Sequence, residues 1–150
     1  MRRTALPLAL ALGLAMIACA APAARTMRVV ATDYALQTAD SVPAGRVELV
    51  FENRGRVPHE VVVGLFRSGA TPEEMLAGAQ AGLRVRDLPE HYLDGAPFGV
   101  LFAWPGKTSL ARLDLDLESG KRYALLCTFR DSTAAPEHAA LGMVRILYVY

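Results

Sequence analysis

Residues 127–143 read CTFRDSTAAPEHAALGM and carry, in order, a thiol, an imidazole and a thioether: Cys127, His138 and Met143. Sulfur of either kind is a soft metal donor and imidazole nitrogen a borderline one. Each side chain also has a commoner use. A lone cysteine is usually a small buried hydrophobe, and a lone methionine fills a core. A lone histidine is usually hydrogen-bonded or solvated. The chemistry becomes pointed because of the compartment, which the other end of the chain indicates.

MRRTALPLALALGLAMIACAAPAA begins with two arginines, continues as an apolar run from Leu6 to Ala18 and closes on small residues. That is the layout of a secretory signal, and the run is too short for a stable membrane span. Residues 1–24 are therefore read as a leader and 27–150 as one exported domain. Two cleavage routes are open. Met16-Ile17-Ala18-Cys19 resembles a lipobox, which would leave Cys19 as a lipid-modified N-terminus on a membrane-anchored lipoprotein. Cleavage after Ala20 or Ala23 would discard Cys19 and give a periplasmic or secreted protein. Cys19 is not expected to pair with Cys127 by either route. Cys127 is then an odd thiol in an oxidising compartment, which calls for a reason.

Composition narrows the function classes. A chain of 150 residues can build one domain with a proper core. Of its 16 Lys and Arg, two sit in the leader, leaving 14 against 15 Asp and Glu. That near-neutral balance lacks the concentrated basic face a nucleic-acid partner needs. No Ser/His/Asp order, HExxH or glycine-rich phosphate loop appears, so no enzymatic activity is expected. There is no internal repeat.

The elements that must position Cys127 read mainly as short strands. RVVATDYAL, Arg28 to Leu36, is the first, followed by a turn at Ser41–Gly45. RVELVFEN alternates strictly, with Val47, Leu49 and Phe51 on one face and Arg46, Glu48 and Glu52 on the other. A loop from Asn53 to Pro58 leads into HEVVVGLF, where His59 shares a face with Val61, Val63 and Leu65. Thr71-Pro72-Glu73-Glu74 has the cap, proline and acidic first turn of a helix start, and that helix should end near Ala81. Residues 82–98 look irregular, and His91 among them should be solvated. A hairpin is expected to turn at Trp104-Pro105-Gly106-Lys107, with Ala111, Leu113, Leu115 and Leu117 of its second arm inward. Ser119-Gly120 turns the chain into KRYALLCTF, where Tyr123, Leu125, Cys127 and Phe129 share a face. Tyr123 is either a tyrosine corner or an ordinary core tyrosine. MVRILYVY closes the chain. About seven or eight short strands with one short helix insertion make this an all-β sandwich.

The pattern resembles the cupredoxins, the blue-copper family with a Greek-key β-sandwich. Those proteins have an Asn-x-Gly segment running to Pro-His before a strand; here it is Asn53-Arg54-Gly55-Arg56-Val57-Pro58-His59. They also have a late Tyr-x-x-x-Cys strand, a loop with His and Met, and a final strand. Tyr123 to Cys127, His138 to Met143 and VRILYV follow that order. The resemblance covers essentially the whole chain after the leader. It implies one copper per chain, with His59 and His138 as imidazole ligands, Cys127 as thiolate and Met143 as axial thioether. Such a set accepts both copper oxidation states with little movement.

Two departures stand out. Ten residues, Thr128 to Glu137, separate Cys127 from His138, where the family has two to four. They are expected to form an exposed excursion, with His138 to Met143 as ordered as a short loop and Leu141 packed inward. If the excursion shapes the coordination sphere, Asp131 and Glu137 are the first residues to suspect. Glu60 replaces a bracing asparagine; it could accept a hydrogen bond from the ligand loop or approach the metal. The resemblance implies a monomeric one-electron carrier of the cell envelope. The alternatives are copper storage or delivery, or a metal-free interaction module on the same fold. A redox or copper-handling protein is the expected partner, and the membrane is met only through a lipid on Cys19.

Overall fold

The computed structural model describes residues 23–83 and 91–150. Residues 1–22, on which most of the expected leader with Cys19 and both cleavage routes falls, and Pro89 lie outside the described residues. Among those described, nine strands form two sheets. β1 (Arg25–Thr32), β2 (Ala35–Gln37), β4 (Gly45–Asn53) and β7 (Leu113–Leu117) make the first, in the order β2-β1-β4-β7. β3 (Ser41–Val42), β5 (His59–Leu65), β6 (Gly99–Ala103), β8 (Arg122–Leu126) and β9 (Val144–Val149) make the second, in the order β3-β9-β8-β5-β6. β1 runs parallel to β4 and β3 parallel to β9, while the other pairs are antiparallel.

The inner faces follow from alternation. Val47, Leu49 and Phe51 of β4 meet Val61 and Val63 of β5 and Tyr123 and Leu125 of β8 between the sheets. The second sheet is apolar on both faces because a second layer covers it. Val62, Ala124, Leu126 and Ile146 point outward onto Met75 of helix α1 (Pro72–Gln80), with Phe66 and Leu93 alongside. Double-sided burial explains why HEVVVGL reads as a nearly continuous apolar run. The helix starts as its sequence requires. Thr71 accepts from the Glu74 N–H at 3.2 Å, and the Glu74 carboxylate accepts from the Thr71 N–H at 2.9 Å. It also touches the turn that carries His138.

Tyr123 is a tyrosine corner: its hydroxyl accepts from the Glu118 N–H at 3.0 Å, tying the Ser119-Gly120 turn to β8.

Two expectations need correction. The first strand is broken: β1 ends at Thr32 and β2 begins at Ala35, with Tyr34 between them at φ 61°. The expected hairpin at Trp104–Lys107 is a crossover. The turn itself closes, with the Lys107 N–H donating to the Trp104 carbonyl at 3.0 Å. The residues after it, however, bond to the end of β4: Asn53 N–H donates to Lys107 O and Ser109 N–H to Phe51 O, each at 2.8 Å. β6 pairs with β5, whereas β7 pairs with β4 in the opposite sheet. The free edge of β4 captures the second arm. Leu115 and Leu117 are buried as expected and Leu113 partly so, but Ala111 lies on the crossover and is exposed.

Candidate metal centre

His59 is placed by the loop before it. Asn53 is fully buried and satisfied: its Oδ1 accepts from the Gly55 N–H at 2.8 Å, and its Nδ2 donates to the carbonyls of Val57 at 2.8 Å and Ala103 at 3.0 Å. Asp33 clamps the same loop from outside, accepting from the Arg56 N–H and Nε, each at 2.7 Å. Those Arg56 contacts hold its carboxyl below the usual range. Gly55 packs so closely that a Cβ there would stand 2.9 Å from His59 Nε2. The Asn-x-Gly element is therefore a brace plus a clearance for the imidazole.

Cys127 follows β8 and faces the inner core, fully buried. Its N–H donates to the Met143 carbonyl at 3.1 Å, and its sulfur accepts from the Glu60 N–H at 3.4 Å. Burial pushes the thiol up to about 11, against the pull of the Glu60 and Phe129 N–H groups. His138 opens a 3₁₀ turn, His138–Leu141, ended by Gly142 at φ 108°. Its N–H donates to Phe129 O at 2.9 Å, and the Ala139 N–H donates to Cys127 O at 2.8 Å. The turn directs His138 and Ala139 inward and leaves Leu141 45% exposed, correcting the expectation that Leu141 packs inward.

These placements bring three atoms together. His59 Nδ1 and His138 Nδ1 are 3.1 Å apart, and Cys127 Sγ lies 3.9 Å from the first and 3.5 Å from the second. The circle through three points so spaced has a radius of about 2 Å, the length of a first-row metal–imidazole bond and a little under the roughly 2.3 Å of a metal–thiolate bond. All three residues are fully buried. The set suits a metal that takes two imidazoles and one thiolate.

Met143 is fully buried in the same core cluster as Cys127. Its N–H donates to His138 O at 3.0 Å, so its backbone is tied to both other members of the loop. His91 is exposed and is not a member of the cluster.

The surroundings answer the two departures. The Glu60 carboxylate accepts a hydrogen bond from the Thr128 hydroxyl, so it braces the loop that joins Cys127 to His138. The excursion is exposed from Asp131 to Ala134, but Thr128, Phe129 and Arg130 are half-buried. Glu137 pairs with Arg130 at 3.1 Å. Asp131 turns back: its Oδ1 lies 3.1 Å from His138 Nε2, and its Oδ2 accepts from the Tyr34 hydroxyl at 2.5 Å. The Tyr34 ring stands edge-on to both imidazoles, at 5.1 Å from His138 and 6.5 Å from His59. Sequence reasoning singled out Asp131 but missed Tyr34, whose contact spans 97 positions. Burial lowers the basicity of His59, with His138 beside it acting in the same direction. Its Nε2 is buried without a hydrogen-bond partner.

No family model matches the chain, and no curated protein does. Solved structures do. The chain is similar to dithionite-reduced auracyanin from the photosynthetic bacterium Roseiflexus castenholzii, with TM-score 0.54 and 19% identity over 86% of this chain and 99% of that one. It is similar to auracyanin B, with TM-score 0.53 and 22% identity over 87% and 92% of the two chains. It is also similar to auracyanin A, described as a "blue" copper protein from Chloroflexus aurantiacus, with TM-score 0.50 and 14% identity over 85% and 100%. At such identities the likeness is one of architecture, and by its two sheets, its element order and these neighbours the chain has the cupredoxin fold.

Proposed function

We propose that the protein binds one copper ion through His59, Cys127, His138 and Met143 and serves as a one-electron carrier of the cell envelope. The observation that carries this reading is the buried triangle of two Nδ1 atoms and one Sγ. Bound copper supplies a one-electron couple. The chain's own part is to hold the donors still and dry. Each ligand backbone on the loop is hydrogen-bonded to another ligand or to the loop's base. His59 is fixed by the pairing of β5 with β6 and β8. Donors that need not move when a metal changes charge suit fast electron exchange.

Burial favours a carrier over a delivery protein, because all four side chains are enclosed and offer a receiving protein no open donor. A route to the surface exists for an electron. Phe129 lies 5.9 Å from His138 and 5.9 Å from Phe102, and Phe102 lies 5.1 Å from Trp104, which is 63% exposed. The leader composition supports export. Among the described residues no helix is long and apolar enough to cross a membrane. The partner is expected to be another redox protein met by a monomer.

Copper titration of the protein, followed by visible absorption and electron paramagnetic resonance, tests the reading. The expected result is intense thiolate-to-copper absorption saturating at one equivalent. Pale, weak Cu(II) binding unaffected by Cys127→Ser would overturn it.

A further inference from the structure

We infer that Asp131, held by Tyr34, is a positioning residue that fixes the ring tautomer of His138, and that in the metal-free protein His59 carries the exchangeable ring proton. The part that concerns the loaded site rests on the copper reading above; the tautomers themselves do not.

The geometry is that of a carboxylate shared between two donors. Asp131 Oδ2 is taken by the Tyr34 hydroxyl, which leaves Oδ1 facing His138 Nε2 at 3.1 Å. An ionised carboxylate only accepts hydrogen bonds. An aspartate carboxyl is in that form at neutral pH. A hydrogen must therefore sit on His138 Nε2. The other arrangement would set two lone pairs against each other at a fully buried ring, leaving polar groups unpaired. With Nε2 protonated, neutral His138 directs the lone pair of Nδ1 at the centre, as a metal ligand must. A second shell of this kind orients an imidazole in many metal sites.

Tyr34 marks the arrangement as built. Its φ of 61° lies in the left-handed region, which residues with side chains rarely adopt. That backbone places its ring edge-on to His138 and its hydroxyl on Asp131. The strain sits where a functional constraint would put it.

The state of His59 follows. Its Nδ1 is 3.1 Å from His138 Nδ1, nearer than the Cys127 sulfur at 3.5 Å, so without metal His59 is the donor placed there. Its Nε2 then carries no hydrogen, which agrees with that atom having no partner. Metal at His59 Nδ1 would require the His59 hydrogen on Nε2 and would release the Cys127 thiol proton to solvent, while His138 keeps its tautomer. One ligand is preset and the other switches.

Nitrogen-15 spectra of the histidine rings decide this in the metal-free protein at pH 8, where an unperturbed imidazole is neutral. His91, exposed, serves as the averaged reference. The expected result is a single Nε2–H tautomer at His138 and a single Nδ1–H tautomer at His59. Asp131→Ala should mix the His138 tautomers, and Asp131→Asn should restore Nε2–H because an amide oxygen still accepts. Loaded with copper, Asp131→Ala should bind Cu(II) 10–100-fold more weakly. Its reduction potential should rise, by about 59 mV for each tenfold by which Cu(II) loses more than Cu(I). Asp131→Asn should also raise the potential, since the charge is gone while the tautomer is kept. An Nδ1–H tautomer at His138 in the wild type overturns the inference, and so does an Asp131→Ala protein with unchanged tautomer and potential. If Asp131→Ala does not fold, the wild-type spectrum alone decides. A wild type with the expected tautomers but no thiolate absorption would remove the copper reading and leave this inference standing.

Discussion

His59 and His138 reach one centre with opposite kinds of support. His59 begins a seven-residue strand paired on both sides, and the loop before it is locked by Asn53 and by the Asp33–Arg56 clamp. Its ring has packing around it but no partner for Nε2. His138 sits on a four-residue 3₁₀ turn outside either sheet. Its N–H is bonded to the Phe129 carbonyl and its carbonyl to the Met143 N–H, and its outer nitrogen faces a carboxylate. Where the backbone is over-determined the ring can be left unbraced. Where the backbone is a short turn, a side chain must do the orienting.

Several changes would break or sharpen this contrast. Cys127→Ser removes the atom that both histidines face, and the intense visible absorption of the copper-loaded protein should vanish entirely. The metal-free protein should also differ from that variant in alkali. The fold favours the neutral thiol, with a pKa of about 11 against 9.0 for a free one. Its contribution is complete below pH 9 and is lost as pH rises through 11, roughly 3 kcal/mol in all. Denaturation at pH 8 and pH 11 should show wild type losing about 2 kcal/mol more stability than Cys127→Ser. Copper loading should abolish the difference, because a metal-bound thiolate has no proton to lose.

Gly55→Ala attacks the His59 side alone. The added methyl would lie 2.9 Å from His59 Nε2 and from Asp33 Oδ1, and 3.2 Å from Asn53 Oδ1. Destabilisation of about 1–3 kcal/mol is expected from such overpacking. Copper affinity should fall while the His138 tautomer stays unchanged, measured by denaturant unfolding and ring spectra. The smallest effect is reserved for the other side. Replacing Ser132–Pro136 by a two-residue link that keeps Asp131 should retain the copper absorption and shift stability by less than about 0.6 kcal/mol, the closure term for a doubling of loop length. A loss of absorption in that variant would show that more than Asp131 matters in the excursion.

What could be read from the sequence follows its physical period. The faces of β4, β5 and β8 were legible because alternation fixes which side chains meet the core. The helix start was legible because a capping box is local. The crossover after Trp104 was not, since turn residues announce a reversal without saying which sheet receives the chain. The break at Tyr34 has no sequence mark either, because tyrosine in the left-handed region is set by contacts and not by propensity. For the same reason His59, Cys127, His138 and Met143 could be proposed together from their order. The Tyr34–Asp131 contact could not, as it joins a strand break to a loop far along the chain.

The hydrogen bonds at the foot of the 128–137 segment carry one more consequence. Because Phe129 is bonded to His138 and Cys127 to Ala139, the segment is a closed lobe whose two ends are already joined. Seen from the centre, eleven positions of chain count as little more than one step across a hairpin. Insertions and deletions beyond that join alter the lobe's outline without changing the spacing of sulfur and nitrogen. Such a site can lengthen its loop over generations, acquiring an accessory residue such as Asp131, with the donor set kept at every intermediate length.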